Sequence, residues 1–95
     1  MTEDERNHIL NQSWKSHAVI ESTYLNDPAQ RGDSNWLDKQ RYLLADMAIH
    51  LLQTSLNPGE LNKDKLTNNI YSILTIADQF LPEAKLALAK EKLIP

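Results

Sequence analysis

Turn chemistry in this chain is concentrated at three places, and that distribution limits what it can fold into. Two glycines and four prolines are all that punctuate 95 residues. Three of the prolines sit inside the chain, in Asn26-Asp27-Pro28, Asn57-Pro58-Gly59 and Leu81-Pro82. A many-stranded β fold needs a turn every 8–12 residues or so, which this sequence does not supply. The stretches between the breaks are long enough for helices of several turns, and each carries helical periodicity. The expected fold is all-α: a four-helix antiparallel up-and-down bundle, with helices at about 2–25, 35–56, 62–81 and 82–93 and residues 1–95 forming one domain.

Each helix has its own signals. Thr2 and Glu5 fit the capping box that opens a first helix. At about 100° per residue, Ile9, Leu10, Trp14, Ile20, Tyr24 and Leu25 share its apolar face, with Ser13, His17 and Glu21 inset among them. Asp27, placed before proline, is pushed away from αR and ends that helix. The loop 26–35 then offers Asp33, Ser34 and Asn35 as caps for the next one. The third helix starts either at Pro58, with Asn57 as cap, or near Asn62. Its stripe is Leu66, Ile70, Ile73, Leu74, Ala77 and Leu81. Pro82 opens the last helix, with Glu83 at its positive end and Lys90 and Lys92 at its negative end. Leu86, Ala89 and Leu93 point its apolar side at the core.

The second helix is the unusual one. Trp36, Leu43, Leu44, Met47 and Leu51 make one apolar stripe, and Tyr42, Ala45, Ile49, Leu52 and Leu56 make another nearly opposite. Only Lys39, Asp46, His50 and Gln53 form a polar strip, which reads as solvated. A helix apolar almost all round is covered on more than one side, either inside the domain or by a partner. Tyr42, Ala45, Ile49, Gln53 and Leu56 are the expected partner-binding residues.

Composition narrows the function classes. A hydrophobic content of 41% and a charged content of 24% are those of a folded chain. A net charge of −3 with no dense Lys/Arg face disfavours nucleic acid. The absence of cysteine excludes disulfides, thiolate nucleophiles and Cys-based metal sites. An acidic N-terminus unlike a secretion signal, with no apolar stretch long enough for a bilayer, leads to an expected cytoplasmic location.

The candidates for chemistry are few. His17 and Glu21 lie four apart on the first helix, a spacing that lets a carboxylate orient an imidazole. Asp46 and His50 repeat that spacing on the second helix, where the reading is an exposed i, i+4 pair. The four together could make a mononuclear His/carboxylate metal site, but polar pairs on separate helices are the simpler expectation. Helical nucleotide pyrophosphohydrolases need Glu-x-x-Glu and Glu-x-x-Asp pairs that the middle helices lack. Glycine-rich phosphate loops and the G-x-S-x-G elbow are absent too. Arg31-Gly32-Asp33 is accounted for by a loop glycine and a capping aspartate.

The expectation is therefore a non-enzymatic protein-interaction module with no catalytic residues, no cofactor and no metal, binding a protein partner or its own copy as a homodimer. No small-molecule substrate and no membrane are implied. One alternative is a DNA-binding regulator with a helix-turn-helix-like segment at 52–73, offering Lys63, Lys65, Asn68 and Asn69. A second is a small metal- or nucleotide-dependent helical enzyme. In helix order and size the chain resembles the small helical bundles that serve as bacteriocin immunity proteins, and small phage or plasmid regulators. That resemblance rests on layout and carries no residue across.

Overall fold

A computed structural model describes residues 1–94. Helices α1 (Glu3–Asn26), α2 (Trp36–Leu56) and α3 (Lys63–Ala77) are followed by a 3-10 turn (Pro82–Ala84) and the short α4 (Leu86–Glu91). There is no strand among the described residues. The fold is an all-α four-helix bundle in which each helix packs on the next in the chain.

The helix ends follow from local chemistry. Thr2 Oγ1 accepts from Glu5 N–H at 3.1 Å, and Glu5 Oε1 accepts from Thr2 N–H at 2.8 Å, completing the capping box. Glu5 is held below its ordinary carboxyl pKa of 4.5, first by the Thr2 backbone N–H and then by the Thr2 hydroxyl. Asn62 caps α3 by accepting from Lys65 N–H at 3.0 Å, so the start near Asn62 is the one adopted. Gly59, in the preceding loop, sits at φ +93°, a backbone angle that side chains beyond Cα disfavour.

Two expectations fail at the C-terminal end. Helix α3 stops at Ala77 rather than 81, because Gln79 and Phe80 N–H bond to Ile76 and Ala77 carbonyls in tighter i−3 turns. Leu81, before proline, is already out of the helix at φ −128°, ψ 59°. The segment 82–93 is also not one helix. Lys85 adopts the left-handed conformation (φ 54°, ψ 45°) and divides it in two. Of its intended core face, Leu86 and Leu93 are half-buried and Ala89 is exposed.

Hydrogen bonds locate the neighbours of α2. Asp46 and Gln53 reach α1, and Lys39 Nζ reaches the Ala29 carbonyl in the loop after α1, at 3.2 Å. Trp36 and Gln40 instead reach Gln79, just beyond α3. Around the α2 axis these two directions are only about 100° apart at 3.6 residues per turn. Helices α1 and α3 therefore flank α2 on adjacent sides, and an open groove separates them. The outer arc of α2 carries Leu37, Arg41, Tyr42, Ala45, Ala48 and Leu52, all exposed.

The molecule is flattened, with extents of 45 × 34 × 17 Å. Its radius of gyration is 15.1 Å, against about 12 Å for a compact domain of this length. Among the described residues, Ala29 and Ile76 are the only buried apolar ones. Trp14 and Leu25, expected in the core, are 55% and 69% exposed, because they lie at the edge of the α1 face. Among the described residues, no helix is long and apolar enough to cross a membrane.

Candidate functional site

The polar strip of α2 mostly does not face water. It forms the seam against α1, meeting the polar residues inset in that helix's apolar face. Ser13, buried, donates to the Leu10 carbonyl at 2.6 Å and accepts from Gln53 Nε2 at 3.1 Å. One turn further along, His17 Nδ1 lies 2.6 Å from Asp46 Oδ1, joining residues 29 apart in the chain. Two turns beyond, Lys39, whose charge also stands 4.9 Å from the Tyr24 ring centre, ties α2 to the loop after α1.

Asp46 was expected to be exposed and is instead 6% exposed. It faces α1, and its two oxygens are divided between two imidazoles. Oδ1 contacts His17, and Oδ2 lies 3.4 Å from His50 Nε2. The other ring nitrogen of His17, Nε2, lies 2.9 Å from Glu21 Oε2 on its own helix. The His17 and His50 rings are 4.9 Å apart, and Trp14 stands edge-on to His17 at 5.6 Å. The two i, i+4 pairs of the sequence thus form one connected cluster: Glu21, His17, Asp46 and His50. A neutral imidazole has one N–H, so only one of the two His17–carboxylate contacts can be an ordinary hydrogen bond. Making both needs a second proton or another cation.

His50 also lines a cleft of about 310 Å³ between α1 and α3, together with Trp14, Gln53, Lys65, Asn68 and Asn69. The residues foreseen as a DNA-reading segment therefore lie on two surfaces. Lys65, Asn68 and Asn69 border the cleft, while Lys63 is exposed outside it. The connector between α2 and α3 spans Asn57 to Asn62, longer than the three to four residues of a helix-turn-helix.

The expected partner-binding residues separate as well. Tyr42 and Ala45 are exposed, and Ile49 and Leu56 are half-buried at the edges of the same outer face. Gln53 is turned into the α1 seam by its bond to Ser13. Leu52, at 38% exposure, adds apolar surface further along α2 from Tyr42, at 39%.

A second polar relay holds α2 to the end of α3. Trp36 Nε1–H donates to Gln79 Oε1 at 3.0 Å, and Gln79 Nε2 donates to Gln40 Oε1 at 3.1 Å. Gln40 is 3% exposed, and its Nε2 has no partner among the described residues.

The fold and seam define an all-helical four-helix protein with a polar inter-helix cluster. No family model matches the chain, nor does any curated protein or solved structure.

Proposed function

We propose that this chain is a non-enzymatic protein-interaction module and that the outer face of α2 binds a second copy of itself. The observation that carries this reading is an excess of surface. The accessible area is 6919 Å², whereas a compact monomer of 10.9 kDa exposes about 5,600 Å². The difference, about 1,300 Å², exceeds the roughly 800 Å² that each partner loses in a standard interface. The distribution of polarity supports the same reading. Helix α2 turns its polar strip inward to α1 and leaves Tyr42, Ala45, Ile49, Leu52 and Leu56 on or beside the outer face. Exposed apolar surface of this kind gains from association, and a two-fold dimer is the simplest closed arrangement. Ser13, which shares the seam with the histidine cluster, donates its hydroxyl proton to the Leu10 carbonyl, which fits a structural role for the seam.

The cysteine-free sequence allows a direct test. Ala45→Cys places a single thiol on the outer face, and Lys15→Cys places one on the exposed side of α1. Under mild oxidation Ala45→Cys is expected to form a disulfide-linked dimer rapidly at low protein concentration, and Lys15→Cys only slowly. Equal rates for the two variants would remove the proposal.

A further inference from the structure

We infer that His17, Asp46 and His50 form a binding site for one divalent transition-metal ion of the zinc type, with Glu21 orienting His17. One donor atom from each of the three residues falls within 4.8 Å of the other two, and they come from two packed helices. The carboxylate is buried, and among the described residues its ion-pair partners are two histidines and no lysine or arginine. A buried carboxylate needs compensating charge, and a metal ion supplies it without requiring either imidazole to be protonated.

The geometry at His17 gives the inference its specificity. Glu21 Oε2 stands 2.9 Å from Nε2. An N–H at that position, donated to Glu21, leaves the Nδ1 lone pair directed at Asp46 Oδ1, 2.6 Å away. Two lone pairs cannot face each other at that distance, so either a second proton or a metal ion lies between them, and zinc titration separates the two. This is the carboxylate–histidine–metal arrangement, in which an outer carboxylate fixes the tautomer of a ligating ring. Tetrahedral coordination with bonds near 2.0–2.1 Å separates donor atoms by about 3.3 Å. His50 Nε2 already has that spacing from Asp46 Oδ2, at 3.4 Å. His17 Nδ1 approaches the other oxygen, Oδ1, at 2.6 Å. For a single carboxylate oxygen to serve as the third donor, the side chains must shift by up to about 1.5 Å from the 4.8 Å limit within which the three donor atoms lie.

Donor type selects the metal. Two imidazoles with one carboxylate favour zinc, cobalt, nickel or copper over magnesium or calcium, which take oxygen ligands. His50 lines the cleft between α1 and α3, so the fourth coordination position opens toward water there.

The test uses the full chain, without a histidine tag and stripped with chelator, titrated with zinc chloride by calorimetry. One ion per chain is expected. Cobalt is expected to give the intense visible bands of four-coordinate geometry instead of the weak bands of the hydrated ion. Glu21→Gln should weaken zinc binding about 10- to 100-fold, as loss of an outer carboxylate does. His17→Gln and His50→Gln should weaken it further, and His8→Gln, at an exposed histidine remote from the cluster, should not change it. Circular dichroism checks that each variant is folded. His50 makes the longest contact in the cluster, so His50→Gln keeps the test decisive if the His17 variant unfolds. The inference is overturned by the absence of saturable zinc binding, or by binding that survives His50→Gln unchanged.

Discussion

Replacing Asp46 by alanine tests how α1 and α2 are held together. The carboxylate is buried in the seam and takes its shortest contact, 2.6 Å, from His17. In the metal-free chain a proton on Nδ1 makes this a hydrogen bond to a charged group, which contributes about 1.5–3 kcal/mol, so the measurement is made in chelator. The longer i, i+4 contact to His50 adds about 0.3 kcal/mol. Deletion also leaves His17 Nδ1 in a partly buried position with its acceptor gone, so the expected loss is about 2–4 kcal/mol. For a chain of 95 residues the unfolding entropy is about 0.2 kcal/mol per kelvin, which converts that loss into a fall in Tm of about 10–20 °C. Thermal unfolding followed by circular dichroism measures it, with all samples at one protein concentration because association shifts Tm. A double-mutant cycle with His17→Ala isolates the pair and should give a coupling of about 1–3 kcal/mol. A Tm within about 5 °C of the unaltered chain (a loss of about 1 kcal/mol or less), or a coupling near zero, would refute a seam built on this contact.

Two further predictions concern local devices. Asn62→Ala removes the cap of α3 and should cost about 1 kcal/mol, read from urea unfolding; Asn62→Ser should restore most of it. Glu5, with its pKa lowered in the folded chain, stabilises α1 above the ordinary carboxyl value of 4.5 and loses that contribution as pH falls through the lowered folded value. NMR titration of its carboxyl should show a midpoint that rises when Thr2 is replaced by alanine, and an unchanged midpoint would contradict the capping box as the cause.

What could be read from the sequence was mostly local. The capping box at Thr2 and Glu5, the stop at Asp27-Pro28 and the restart at Asn62, one of the two starts the sequence allowed, depend on neighbouring residues, and all three are present in the fold. The break at Lys85 was not legible, since nothing in its sequence surroundings marks a left-handed lysine. The larger error concerned α2. Periodicity groups side chains into faces, but it does not say which face is covered. Lys39, Asp46, His50 and Gln53 were read as solvated because they are polar, yet three of them bond to α1 or the loop that follows it. A signal for this was present. Ser13 and His17 interrupt the apolar face of α1 one turn apart, and Gln53 and Asp46 supply matching groups at seven-residue spacing on α2. Pairing the polar insets of two adjacent antiparallel helices would have found the seam, and would have left the Tyr42 and Leu52 side as the outer face.

Association through that outer face is the central claim, and light scattering on the full chain across a concentration series tests it most directly. The mass should rise toward about twice 10.9 kDa at high concentration, and Leu52→Asp should hold it at the monomer value with helicity unchanged. A mass of 10.9 kDa at every concentration would contradict the claim.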